Sequence, residues 1–188
     1  MKKTVIFIAN GSEEIETLTP VDYLRRAGVD VTLVAVADSK TVVCSHKVSV
    51  IADSTIDEYL ATGELPDAVV VPGGMPGSSN IAENAKAVDF VRKMNDSGKL
   101  VCAICAAPAV VLPKTGALVG KKWTCYPQME DSATDFVGNH VDSVPFVHCE
   151  NLITGRGPGA AEEFSMEIVR TLAGADVAAK IKAGSVQR

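Results

Sequence analysis

Residues Lys99–Leu112 read KLVCAICAAPAVVL, an almost wholly apolar run that carries two cysteines and a proline. LVCAI has the length and apolar character of a buried strand, and Ser97-Gly98 bounds it upstream. The small residues Ala106 and Ala107 permit a sharp turn after it. Pro108 suits the first turn of a helix, where its missing N–H would have been unpaired anyway. Strand, cysteine, tight turn and helix together form the pattern of a nucleophile elbow. Such a turn exposes the Cys105 thiol beside unpaired backbone N–H groups, which stabilise a thiolate and any oxyanion made from it. A free cysteine is more commonly a small buried hydrophobe, and the local pattern leaves both readings open. A Cys102–Cys105 redox disulfide is disfavoured, because Cys102 falls inside the strand and Cys105 at its end.

Outward from this stretch, short apolar runs alternate with amphipathic segments, which predicts an α/β fold on a mostly parallel sheet. Strands are expected at Thr4–Ala9, Val31–Ala35, Ala68–Val71 and Leu100–Ile104. TVVCSHKVSVIAD, residues 41–53, predicts a small hairpin around Ser45-His46, and residues 144–155 a second around Glu150-Asn151. Ile15, Leu18, Val21, Leu24 and Ala27 recur every three residues and read as one helical face ending at Gly28, with Pro20 expected to kink or restart the helix. Further helices are expected at residues 84–95, 160–172 and 177–182.

At 188 residues, with no linker, repeat or low-complexity tract, residues 1–188 are expected to form a single domain. Lys and Arg number 18 against 23 Asp and Glu, a net charge of −5 with the basic residues scattered. That argues against a nucleic-acid groove or an anionic-membrane surface. The N-terminal apolar run is cut by Asn10-Gly11 and then acids, so it reads as a first strand and not a signal peptide. Five cysteines without framework spacing fit a reducing compartment, and a cytoplasmic protein is expected.

In an open doubly wound sheet, ligands bind beyond the carboxyl ends of the strands where their order reverses. Three loops leave such ends: NGSEEIE (10–16), PGGMPGSSN (72–80) and CAAP (105–108). Gly73-Gly74 can bring backbone N–H groups close to a ligand or be a plain turn. Glu13, Glu14 and Glu16 can cap the first helix, or one can exchange a proton with a facing thiol.

GSEEIETLTPVDYLRRAG, VVVPGGMPGSSN, AICAAPAVVL and GRGPGAAEEF resemble, in order and over nearly the whole chain, the motifs of the DJ-one branch of the ThiJ/PfpI superfamily. The resemblance implies a flavodoxin-like three-layer α/β sandwich, a homodimer, and Cys105 as a reactive elbow cysteine. It implies that a protonated Glu16 hydrogen-bonds the Cys105 sulfur, and that Gly73 and Gly74 supply an oxyanion-binding amide together with that of Ala106. Arg26, Arg156, Gly157 and Pro158 would lie near the site or the dimer interface, with Val21 and Leu24 in the packed region. The implied activity is conversion of small reactive aldehydes such as methylglyoxal or glyoxal to hydroxy acids, of the glyoxalase or deglycase type and without a cofactor. The alternative is a non-enzymatic redox sensor or stress chaperone whose Cys105 is oxidised by peroxide to sulfinic acid.

Two departures bear on this. The protease-like branch has a histidine directly after the nucleophile, where this chain has Ala106, so peptidase activity is not expected. Glyoxalase-active members have a histidine before the proline of a strand-end motif, where this chain has Cys125-Tyr126-Pro127. Tyr126 is expected to hydrogen-bond a substrate oxygen and to leave turnover slow. A glutamine amidotransferase would use a His-x-Glu element, matched by His148-Cys149-Glu150, yet that falls at a hairpin bend. The histidines His46, His140 and His148 lack ligand spacing with the cysteines, so no metal is expected. Cys44, Cys125 and Cys149 are read as half-buried strand residues.

Overall fold

The computed structural model describes residues 1–187. The first half runs β1 (Lys3–Ile8), α1 (Glu14–Arg26), β2 (Asp30–Ala35), β3 (Thr41–Val43), β4 (Ser49–Ile51), β5 (Ser54–Thr55) and α2 (Ile56–Ala61). The second runs β6 (Ala68–Val71), α3 (Gly77–Glu83), α4 (Ala85–Asp96), β7 (Leu100–Ile104), α5 (Ala107–Val110) and a 3-10 segment, Glu130–Asn139. It closes with β8 (Phe146–Cys149), β9 (Leu152–Gly155), α6 (Ala161–Ala173) and α7 (Ala175–Gly184).

Among the described residues the main sheet has seven strands in the order β5-β2-β1-β6-β7-β9-β8, and β3-β4 form a separate hairpin. Every neighbour in the main sheet is parallel except β8 on β9. Strand order reverses at β1, with β2 on one side and β6 on the other. The crevice this creates lies beyond the carboxyl ends of β1 and β6, where the glutamate-rich and Gly-Gly loops emerge.

Alternation along the strands divides the core into two layers. Val5, Phe7, Val69, Val71, Val101 and Ala103 face the layer containing Phe90 and Trp123. Ile6, Ile8, Val70, Cys102 and Ile104 face the layer of α1 and α6, with Leu24, Phe164 and Ile168. Helices on both faces of a mostly parallel sheet make the fold a flavodoxin-like three-layer sandwich, as expected. No helix among the described residues is long and apolar enough to cross a membrane.

Two expectations for α1 are corrected. The helix does not restart at Pro20 but continues through it, with the ring buried; packing against the sheet and α6 offsets the missing hydrogen bond. Its apolar residues do not form one face. A strict three-residue repeat drifts about 60° around a helix per step, so Val21 and Leu24 are buried while Ile15 and Leu18 are exposed. Val21 and Leu24 thus belong to the chain's own core and are not free to pack against a second subunit.

Candidate active site

Cys105 follows β7 with φ 63°, a left-handed conformation that a non-glycine residue keeps only where its surroundings over-determine it. Here they do. The Cys105 N–H donates to the Gly155 carbonyl at 2.9 Å, and the Cys105 carbonyl accepts the Tyr126 N–H at 2.9 Å. The elbow is therefore held from β9 on one side and from the Cys125-Tyr126-Pro127 segment on the other. The expected helix after it is one turn, α5, followed by a 3-10 turn at Leu112–Lys114 containing Pro113. So short a helix adds little dipole, and the nearby amides carry the electrostatics.

The three glutamates after β1 have separate fates. Glu13 caps α1, its Oε2 accepting the Glu16 N–H at 2.8 Å. Glu14 reaches the β3-β4 turn, accepting the Ser45 hydroxyl at 2.9 Å and the His46 N–H at 3.1 Å. Glu16 turns furthest into the protein, fully buried where Glu13 keeps 7% exposure, and its Oε2 accepts the Gly73 N–H at 3.0 Å. Its carboxyl faces the Cys105 side chain, and each group shifts the other's proton affinity, while Glu16 Oε1 is left without a hydrogen-bond partner.

Gly73 and Gly74 therefore divide the task assigned to both. The Gly73 amide serves Glu16, while the amides of Gly74 and Ala106 face the Cys105 sulfur. No other residue fits at Gly74: with φ +83, a side chain would place Cβ 2.4 Å from the Glu13 nitrogen and 2.6 Å from the Gly11 oxygen.

Burial sets the electrostatics of the pair. It pushes the Glu16 carboxyl up to about 7; the facing Cys105 side chain opposes this, the charge of Glu13 adds to it, and the Gly73 amide opposes it. Burial likewise pushes the Cys105 thiol well above its ordinary range, reinforced by the facing Glu16 carboxyl and opposed by the Gly74 and Ala106 amides. The exposed thiol expected of the elbow is thus corrected: Cys105 is 8% exposed. Thiol with carboxylate, and thiolate with carboxylic acid, are the two placements of one shared proton. In the second placement the neighbouring charge is gone and Glu16 becomes a donor to the sulfur.

Cys102 is fully buried inside β7, and its thiol is held well above the usual range by burial and by Glu167. All five cysteines are free; Cys44 and Cys125 are buried at 3% and 1% exposure, more deeply than expected.

Tyr126, Arg156, Gly157 and Pro158 come together, with Glu163 and Val144, around an open cavity of about 550 Å³. The Tyr126 ring lies over Gly157, whose added Cβ would stand 3.3 Å from Tyr126 Cδ2. Arg26 is elsewhere. It lies in the last turn of α1, exposed and paired with Asp22 at 2.7 Å, at the opposite end of the helix from Glu16.

His148 stands in register with Ile153, while Gly155 pairs with Ile104 beside the elbow. It is bound to Glu167 at 2.5 Å, displaced along β8 from the Cys105 end of the sheet. The His-x-Glu element is therefore not a partner of Cys105. His140, by contrast, does meet a cysteine. Its Nε2 lies 3.7 Å from Cys125 Sγ, with Glu130 nearby, although the spacing had suggested no such group. Nothing local in the sequence signals this, because an irregular 3-10 segment separates the partners.

Residues 2–171 match the model of the DJ-1/PfpI family. The chain is 37% identical to protein dj-1beta of Drosophila melanogaster over 183 residues, covering 97% of this chain and 96% of that one. It is 32% identical to the glutathione-independent glyoxalase DJR-1.2 of Caenorhabditis elegans, covering 87% of this chain and 84% of that one. Its fold matches the structure of oxidized Toxoplasma gondii DJ-1 with a TM-score of 0.90 at 34% identity, over 99% of this chain and 98% of that one.

Proposed function

The chain belongs to the DJ-1/PfpI family, and from that premise we propose that it is a reactive-cysteine protein that slowly converts small 2-oxoaldehydes to hydroxy acids. The observation that carries this reading is the buried Glu16–Cys105 pair with the Gly74 and Ala106 amides aimed at the sulfur. The relative named as a glutathione-independent glyoxalase supports it.

The chemistry follows from that pair. The Cys105 thiolate attacks the aldehyde carbon of methylglyoxal, forming a C–S bond and an oxyanion that the two amides stabilise. Glu16 protonates that oxygen, giving a hemithioacetal. Its carboxylate then removes the C1 proton and the electrons move to the adjacent carbonyl, forming an enediol. Return of a proton to C2, as the C1 hydroxyl gives up its own, leaves a thioester, which water hydrolyses to lactate and free Cys105. The sum is methylglyoxal plus water giving lactate, without added oxidant or reductant. Because Cys105 is buried, only a small aldehyde reaches it. Incubation with methylglyoxal should give lactate with wild type and none above background with Cys105→Ser; equal rates would reject the proposal.

A second reading rests on the same amides. Peroxide would transfer oxygen to the Cys105 sulfur, breaking O–O and releasing water, with sulfenic and then sulfinic oxygens held by Gly74, Ala106 and Glu16. The protein would then serve as an oxidative-stress sensor. We further propose a homodimer, supported by the apolar exposure of Ile15 and Leu18 on α1 and of Val48 and Ile51 on the neighbouring hairpin, and a cytoplasmic location, with which five unpaired cysteines are in keeping.

A further inference from the structure

Cys125, Glu130 and His140 come together outside the Cys105 site. Cys125 Sγ lies 3.7 Å from His140 Nε2 and 4.0 Å from Glu130 Oε2, and the three candidate ligand atoms all lie within 4.8 Å of one another. The sulfur is also 3.3 Å from the Tyr126 carbonyl. Cys125 is buried, while Glu130 and His140 are half-buried, so the group opens to solvent on one side.

These separations are close to those of a metal's ligand shell. With a zinc–sulfur bond of about 2.3 Å and zinc–nitrogen or zinc–oxygen bonds of about 2.0–2.2 Å, a tetrahedron has sulfur-to-ligand edges of about 3.5–3.6 Å. The observed edges exceed that by only a few tenths of an ångström. A thiolate and a carboxylate together would neutralise a divalent charge. The sulfur and imidazole favour zinc or cobalt over magnesium or calcium, which prefer oxygen.

The backbone positions the ligands without help from an ion. Glu130 opens the 3-10 segment Glu130–Asn139 and His140 follows it, so both ends return to Cys125. The Trp123 N–H donates to Asn139 O at 3.3 Å, and the Val141 N–H donates to Trp123 O at 2.8 Å, fixing the chain on either side of His140. The Trp123 indole donates to Phe136 O at 2.9 Å, and its ring meets the His140 ring edge-on at 5.0 Å. A ligand imidazole held by such outer contacts has little freedom to turn away.

We propose that Cys125, Glu130 and His140 form a zinc site with three protein ligands and a fourth position open to water. On binding, the Cys125 S–H bond breaks, its proton leaves to solvent, and a Zn–S bond forms. The ion pins the Glu130–Asn139 segment against the Trp123–Cys125 stretch that leads into Tyr126. The Tyr126 N–H holds the Cys105 carbonyl, so the site buttresses the elbow without touching its sulfur.

The test is titration of reduced, tag-free protein with Co²⁺, read by thiolate-to-cobalt charge-transfer absorption, and with Zn²⁺ against a chromophoric chelator. One equivalent should bind, with the charge-transfer band present in wild type and in Cys105→Ser and absent in Cys125→Ser. Glu130→Gln and His140→Gln should each weaken binding at least about tenfold. Both positions are half-buried, so they keep the test informative if Cys125→Ser folds poorly. A wild type without the band, a band that survives Cys125→Ser, or one lost in Cys105→Ser would overturn the site.

Discussion

A methyl group on Gly73 would stand 2.5 Å from Cys105 Cβ and 2.5 Å from Glu16 Oε2, so the catalytic pair can exist only beside a residue with no side chain. The bare backbone at that position does two things. It lets β6 and β7 bring their loops into contact, and it leaves the Gly73 N–H free to orient the Glu16 carboxyl.

Gly73→Ala should therefore separate sulfur from carboxyl before it unfolds the protein. Overpacking of this kind costs about 1–3 kcal/mol, whereas Gly138→Ala, with nothing within 4 Å, should be nearly neutral. Urea denaturation measures the stability change. Lactate formation should fall to the Cys105→Ser level in Gly73→Ala and stay unchanged in Gly138→Ala. Full activity in Gly73→Ala would show that the close approach is not required.

The second prediction concerns pH. Glu16 is raised to about 7 from an ordinary carboxyl value of 4.5. The folded state therefore holds this proton where the unfolded chain has released it. That contribution is fully present below pH 4.5 and is lost as pH rises through about 7. Between pH 5 and 8, wild type should lose up to about 3 kcal/mol relative to Glu16→Gln, which cannot titrate. Parallel pH profiles of unfolding free energy for the two proteins would contradict the raised carboxyl. Glu16→Gln should also lower aldehyde turnover at least about 100-fold while peroxide still converts Cys105 to sulfinic acid, because the amide retains a donor.

The third concerns assembly. Ile15 and Leu18 are 53% and 37% exposed, on the first turns of α1. Glu14 ties that region to the hairpin bearing Val48 and Ile51. A second copy covering this surface would bury apolar area now facing water. Sedimentation at micromolar concentration should show a dimer, and Leu18→Glu should shift it to monomer without changing the circular dichroism spectrum. A wild-type monomer would remove the dimer from the proposal.

What could be read in the sequence was what local physics determines. β6 and β7 are continuous apolar runs ended by Pro72 or by the elbow, and each lies where expected because a strand buried on both faces has nothing else to be. Cys105 was legible as an elbow from the small residues around it, yet its burial was not, since that depends on the Gly73 loop closing over it. Glu16 could not be told from Glu13 and Glu14 by local pattern. Only the three-dimensional path of α1 makes one a cap, one a hairpin tie and one a buried acid. α3 was missed because Pro76-Gly77 reads as turn, and the Cys125–His140 contact because the 3-10 segment between them has no apolar period to announce it.

The last prediction returns to Tyr126. Its backbone N–H is fixed to the elbow and its ring lies over Gly157 at the cavity wall, 47% exposed. A phenol ordinarily keeps its proton at neutral pH and offers a substrate only a hydrogen bond, whereas an imidazole there can take a proton and return it. A positioned general base contributes about 10²–10⁴-fold, so its absence accounts for the slow turnover proposed here. Tyr126→His leaves the backbone contact to Cys105 intact and should raise kcat/KM for methylglyoxal at least about tenfold, with a new pH dependence near the imidazole range. The gain should vanish in the Cys105→Ser background. An unchanged rate and pH profile would instead place all proton transfer on Glu16, the fully buried carboxyl that faces the sulfur.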